Sequence, residues 1–322
     1  LTIRVAVIGT GYMGRNHARV VKSLSDSMPV TLSSLVDVDV ERARRVAEMY
    51  GGRVYASVDN MLGEEVPDAA IIAVPTRFHV EVALKLLERG VEYLLVEKPV
   101  ATSSMEAERI LEAAGPRRAE RIMVGHIERF NPVVEHLIRS LGKGTLGRVI
   151  SSNARRVGPY TPRIRDTGVV LDLATHEIDL ARLIFGAEPI EVYARTYRVV
   201  NEHYEDAAHL ILKFPEGSAA IEVNRVTPYK ERRLLLTGTK AVAHLNYIEQ
   251  SLRIYNAEWE MVSAAPREEP LMREDAAFLE AAVNGGRVPV TLLDGLKAVI
   301  VAEKALESAA TGRVVEISFQ HP

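Results

Sequence analysis

The chain has 322 residues, 47% hydrophobic and 26% charged, the composition of an ordinary globular protein long enough for about two domains. A formal net charge of -3 supplies no global basic field, so neither nucleic acid nor an anionic membrane is expected as a partner. With no cysteine, disulfides and thiolate chemistry are excluded, and a metal site would have to be built from histidines and carboxylates.

The first apolar run, residues 4–8, leads directly into Gly9-Thr10-Gly11-Tyr12-Met13-Gly14 and then a helical pattern. In a strand, turn and helix of this kind the first glycine allows the turn, the second lets backbone approach a pyrophosphate, and the third lets the helix pack closely on the sheet. A second apolar run, 30–36, ends in Asp37, about 20 residues past the glycines, where a carboxylate accepts hydrogen bonds from the adenosine ribose hydroxyls. The strand starts within a few residues of Leu1 and leaves no place for a cleavable signal, and no run reaches membrane-spanning length. A cytoplasmic enzyme is therefore expected.

Strand and helix then alternate. A helical pattern over 41–50 closes at Gly51-Gly52, and short strand and helix patterns follow near 54–55 and 60–62. The run 69–74 is continuously apolar, as in a parallel strand covered on both faces, and stops at Pro75-Thr76. A helix over 78–89 ends at Gly90, and the strand 91–96 delivers Glu97-Lys98-Pro99. A helix capped by Thr102 or Ser103 runs to Ala114, and the strand 122–125 leads into His126 and Glu128. This order implies a doubly wound parallel sheet of the Rossmann type, whose ligands sit beyond the carboxyl ends of the strands. The polar and backbone-special residues fall at those ends.

Asn131-Pro132 opens a helix to about Leu141, and from there the pattern changes to strands joined by turns: 149–157, 190–200, 209–214, 218–226, 232–238, 241–248 and 252–255, with a tight hairpin at Pro215-Glu216-Gly217. Helices are expected at 170–185, 272–284 and 292–310. The chain thus reads as α/β, with a dinucleotide-binding domain over 1–122 and an α+β domain with a mostly antiparallel sheet over 123–322. Alternation such as Ala220, Glu222 and Asn224 against Ile221, Val223 and Arg225 leaves one sheet face open, a natural two-fold contact surface, so a homodimer or homotetramer is expected.

Asp172 and His176 stand four apart at the head of the helix at 170–185, so a regular helix sets them on one face. An imidazole suits general acid/base work, and a neighbouring carboxylate orients it. A capping aspartate with a core histidine is the structural alternative. A metal reading would take Asp172, His176 and Asp179, but no further ligand cluster is visible and no metal is expected.

Gly9 to Gly14, Glu97-Lys98-Pro99 and the Asp172-x-x-x-His176 segment together resemble the glucose-fructose oxidoreductase / inositol dehydrogenase / MocA family, in order and along essentially the whole chain. The resemblance implies NAD(P)-dependent oxidation or reduction of a secondary carbinol on a sugar, cyclitol or related small molecule. It implies that Lys98 touches the nicotinamide ribose and the reacting hydroxyl, that His176 moves the proton, that Asp172 holds His176 or the substrate, and that the peptide before Pro99 is cis. The residues expected to bind the cofactor are Gly9, Gly11, Tyr12, Met13, Gly14, Asp37, Pro75, Thr76, His79, Glu97 and Lys98. Asp37 favours NAD over NADP by repelling a 2′-phosphate, although Arg42 and Arg44 stand nearby. The segment 125–132 departs from the commoner family form and is similar to sugar-nucleotide 3-dehydrogenases acting on UDP-N-acetylhexosamines. His126, Glu128 and Arg129 are accordingly expected at the substrate, with Arg163 and Arg165 from an arginine-bearing loop that starts at Arg155-Arg156 offering forks for phosphates. Two other readings stay open, an NAD-dependent glycosidase that oxidises transiently and a non-catalytic dinucleotide-binding regulator. Retention of Lys98, Asp172 and His176 together argues against the regulator.

Overall fold

The computed structural model describes residues 2–160, 167–263 and 267–320. The chain forms two compact units, residues 1–126 with 271–296 and residues 127–270 with 297–322. The sequence pattern places a boundary at 122/123 but gives no sign that 271–296 returns to the first unit.

In the first unit, β1 (Ile3–Ile8), α1 (Tyr12–Leu24), β2 (Val30–Val36), α2 (Val40–Tyr50), β3 (Arg53–Tyr55), α3 (Val58–Glu64), β4 (Ala69–Ile72), α4 (His79–Glu88), β5 (Tyr93–Val96), α5 (Ser104–Ala119) and β6 (Ile122–Val124) alternate. Every strand pairing is parallel, in the order β3-β2-β1-β4-β5-β6. The order reverses between β1 and β4, so the turn after β1 opens at the switch point where doubly wound sheets take their ligands. Both faces are covered, which is why β4 and β5 are buried along their whole length. Ser103 caps α5 by accepting from the Glu106 N–H, and the helix breaks at Gly115, one residue beyond the expected end.

The second unit comprises α6 (Pro132–Gly142), β7 (Val149–Val157), α7 (Thr175–Phe185), β8 (Glu191–Tyr197), β9 (Ala207–Phe214), β10 (Gly217–Asn224), β11 (Glu231–Gly238), β12 (Val242–Asn246), β13 (Ser251–Tyr255) and β14 (Glu260–Val262). Then come α8 (Pro270–Asn284), which belongs to the first unit from Leu271 on, α9 (Leu292–Thr311), which passes from the first unit to the second after Leu296, and β15 (Val315–Glu316). Among the described residues the strands of this unit make a nine-stranded sheet, β14-β13-β12-β11-β7-β10-β9-β8-β15, antiparallel except where β7 runs beside β10. The turn between β9 and β10 lies at Pro215-Glu216, where the hairpin is expected. Along β9, Ala208, Leu210, Leu212 and Phe214 point into a core shared with α6, α7 and α9, while His209, Ile211 and Lys213 are exposed. One sheet face is therefore packed and the other open.

No described helix is long and apolar enough to cross a membrane.

Candidate active site

The glycine turn is built by close contacts. Gly9 has a φ of +90°, and a Cβ there would stand 2.7 Å from the Ala73 carbonyl oxygen at the end of β4. A Cβ on Gly14 would meet the Gly9 carbonyl oxygen at 1.7 Å, so α1 rests directly on the turn. At Gly11, by contrast, a Cβ would meet nothing within 4 Å, and this residue starts α1 with no side-chain cap. A helix N-terminus with no side-chain cap, beside a glycine whose Cβ position is open, fits a dinucleotide pyrophosphate. Tyr12 beside it is exposed, while Met13 follows in the first turn of α1.

Asp37 at the end of β2 is buried and fully engaged. Its Oδ2 accepts from the Thr10 N–H at 2.7 Å and the Thr10 hydroxyl at 2.8 Å, and Arg42 forks onto both oxygens at 2.7 and 3.1 Å. Burial alone would raise its pKa, but the Arg42, Thr10 and Asp39 donors outweigh it and hold the carboxyl below its ordinary value. Asp37 thus ties the end of β2 to the glycine turn.

Pro75 and Thr76 follow β4, and the peptide between Lys98 and Pro99 is cis, as the resemblance implies. His79 is buried with Nδ1 3.0 Å from the Pro99 carbonyl oxygen and Nε2 2.9 Å from that of Val74, so it braces the lysine turn against the end of β4 through backbone alone. Glu97 is also buried. Its Oε2 accepts from the Lys98 N–H at 3.1 Å and its Oε1 stands 3.1 Å from His17 Nε2. His79 and Glu97 shape the turn that presents Lys98. His126, also buried, closes the first unit after β6.

In the second unit α7 opens with a wider turn. Residues Val170–Ala174 are π-helical and run directly into α7, so Asp172 stands in the wider turn and His176 in the first turn of the regular helix, four residues on. Such turns are frequent at functional sites. Both residues are nearly buried, and the Asp172 carboxylate accepts from Arg225 Nη2 at 3.2 Å. Asp179 accepts both forks of Arg129, at 2.7 and 2.5 Å, and lies 3.7 Å from Arg182. Both carboxylates thus face guanidinium groups, and among the described residues no trio of His, Asp or Glu forms a metal cluster.

Behind the head of α7 lies a buried charge cluster. Arg156 donates to Glu128 at 2.8 Å and to Glu177 at 2.6 Å, its guanidinium lies 5.6 Å from the centre of the Tyr247 ring, and the Tyr247 hydroxyl donates to Glu177 at 3.1 Å. Burial pushes Glu128 up, but Arg156 and Arg232 outweigh it and its pKa falls, whereas burial and the nearby Glu128 charge keep that of Glu177 raised. The like charge of Arg156, opposite in register on β7, lowers Arg232 on β11.

These pairings correct the phosphate reading of Arg155 and Arg156. They belong to β7 rather than a loop, Arg156 in the buried cluster and Arg155 paired with Glu222 and Glu231 on the other face. Glu128 and Arg129 are likewise held by protein groups. Arg163 and Arg165 lie outside the described residues. The sequence pattern gives no functional role to Arg225 or Tyr247, and the signal for Arg225 is that, just past β10, it continues the strand's alternation on the inward side with Ile221 and Val223.

Residues 3–126 match the family model described as "Oxidoreductase family, NAD-binding Rossmann fold", and residues 134–244 match that of the GFO/IDH/MocA C-terminal domain. The chain belongs to the Gfo/Idh/MocA oxidoreductase family. Its N-terminal unit is an NAD-binding Rossmann fold, and the protein is an oxidoreductase acting on CH–OH groups. It is 32% identical over 255 residues to UDP-N-acetylglucosamine 3-dehydrogenase of Acidithiobacillus ferrooxidans, an overlap of 79% of this chain and 77% of that one. It is 28% identical over 330 residues to inositol 2-dehydrogenase 2 of Saccharopolyspora erythraea, covering 99% of this chain and 96% of the relative. A solved structure of the Acidithiobacillus enzyme superposes with a TM-score of 0.85 at 28% identity, over 97% of this chain and all of that chain.

Proposed function

We propose that the protein is an NAD-dependent dehydrogenase acting on a secondary hydroxyl of a sugar nucleotide such as a UDP-N-acetylhexosamine, or of a sugar or cyclitol of similar size. The observation that carries the reading is the head of α7, where Asp172 in a π turn and His176 four residues on are both buried, with Arg225 on the Asp172 carboxylate. A dinucleotide-binding regulator needs neither side chain.

The glycine turn and Asp37 would hold NAD, which when bound would supply the acceptor for the hydride of the carbinol carbon. His176 takes the hydroxyl proton at its imidazole in the oxidative direction and returns it in the reverse one. Lys98 stabilises the developing alkoxide with its ammonium, and Asp172 orients the imidazole or a substrate hydroxyl. Pro75, Thr76, Tyr12 and Met13 line the dinucleotide, while His126 and the loop carrying Arg163 and Arg165 attend to the substrate. The protein works in the cytoplasm, where the dinucleotide pool lies, as a homodimer or homotetramer.

The test mixes the protein and NAD with UDP-N-acetylglucosamine, UDP-N-acetylgalactosamine, simple sugars and inositols while absorbance reports NADH. Stoichiometric NADH accumulation with one of these alcohols supports the reading. Glycoside cleavage without net NADH would establish the glycosidase instead.

A further inference from the structure

His17 lies on α1 midway between the dinucleotide turn and the interior, and its side chain is wholly inaccessible to solvent. Its Nδ1 stands 2.9 and 3.0 Å from the two oxygens of Asp275 on α8, and its Nε2 stands 3.1 Å from Glu97 Oε1. Carboxylate oxygens accept, so a contact of this kind at both ring nitrogens calls for a proton on each. The Asp275 side chain is also wholly inaccessible to solvent. The second oxygen of Glu97 accepts the Lys98 N–H, and Gly125 leaves room for that carboxylate, since a Cβ there would lie 3.3 Å from Oε2.

We propose that His17 is a positioning residue which, as an imidazolium clamped between Asp275 and Glu97, couples the helix that starts at the dinucleotide turn to the backbone of Lys98. The inference rests on the assignment of Lys98 to the reaction made above. A chain of two hydrogen bonds, His17 to Glu97 to the Lys98 N–H, joins α1 to the residue that meets the alcohol. Neither Asp275 nor His17 touches a reacting atom. Their effect is to fix the Glu97 carboxylate in one orientation, and with it the backbone that carries the lysine, because a small misplacement of a catalytic group has a large effect on rate. The charged groups facing the ring are Asp275 and Glu97, while Lys98 and His79 stand beside Glu97.

The test is a double-mutant cycle with His17→Gln and Lys98→Ala, using the alcohol that reduces NAD in the panel above. His17→Gln should lower kcat by roughly tenfold or more while the NAD dissociation constant shifts by less than about threefold, and adding it to Lys98→Ala should produce little further loss. Fully multiplicative losses would overturn the proposal and leave the dehydrogenase reading intact. Unchanged kcat in Lys98→Ala alone would instead sink the assignment of Lys98. A second measurement needs no variant to fold: with 15N-labelled histidine in the wild-type protein, both His17 ring nitrogens should keep their protons at mildly alkaline pH. The signals of a neutral tautomer would refute the clamp.

Discussion

Arg225 Nη2 lies 3.2 Å from Asp172 Oδ2, and neither side chain exposes more than about a tenth of its surface, so the acid proposed to work beside His176 is held by a buried counter-charge. Arg225→Met leaves Asp172 buried without its guanidinium and should cost about 3–5 kcal/mol of stability, read by urea unfolding. The double variant Arg225→Met/Asp172→Asn should recover most of that loss while remaining inactive. Recovery of turnover along with stability would show that Asp172 is purely structural.

The proton relay gives the next expectation. His176→Ala and Lys98→Ala should each lower kcat by on the order of a hundredfold, the scale of a positioned proton transfer. NAD affinity should hardly change in His176→Ala, since that residue is assigned to the substrate. The pH profile of kcat/KM should show an ionisation in the histidine range that vanishes in this variant. Near-wild-type turnover by His176→Ala would move the base to Asp172 or Lys98.

Cofactor choice follows from the Arg42 fork on Asp37. A 2′-phosphate would have to approach a buried carboxylate and draw Arg42 away from it, so kcat/KM should favour NAD over NADP by about tenfold or more. Asp37→Ala releases Arg42 to meet a phosphate and should narrow the gap. It should also weaken both cofactors, because Thr10 loses its acceptor in the glycine turn. A higher efficiency with NADP in the wild type would reverse the assignment.

Assembly is argued from the open sheet face. Strand register lines up Tyr193, Ile211, Ala220 and Leu235 as an apolar row on that face, crossed at Asn153, beside a row in which Arg155 pairs with Glu222. Ile211 is 54% exposed in the single chain. A row of this kind is covered by a second copy in the proposed oligomer, and Ile211→Asp should shift the mass seen by light scattering at micromolar protein toward the monomer. A monomeric wild type would refute the assembly.

How far the sequence reveals this molecule depends on the range of the interaction. The strand-helix alternation, the glycine turn and Asp37 are legible because periodicity and turn chemistry are local. The doubly wound sheet follows from them by the handedness and packing of parallel strands. The return of 271–296 to the first unit, the partners of Arg156 and the link from His17 to Asp275 are set by strand register and chain return, which no local window contains. His17 did leave a trace, since it falls with Gly14, Ala18 and Val21 on the buried stripe of α1. The π turn at Val170–Ala174 has no such trace, because four-residue spacing reads alike in either kind of helix.

The clamp on His17 also predicts how stability varies with pH. Burial by itself would lower the pKa of this imidazole, but the Asp275 and Glu97 carboxylates outweigh it and hold the pKa well above the ordinary 6.5. Below 6.5 the folded and unfolded chains both carry the proton and the stabilisation is complete. Above it the unfolded chain releases its proton while the folded one keeps it, so the folded state binds more protons and stability declines as pH rises toward the folded value. The slope is at most about 1.4 kcal/mol per pH unit for one such group. Urea unfolding at steps of pH from the acid side of 6.5 into the alkaline range should show this decline in the wild type, and a flatter profile in His17→Gln, whose amide does not titrate. Equal slopes in the two proteins would mean that His17 does not hold its proton in the folded state.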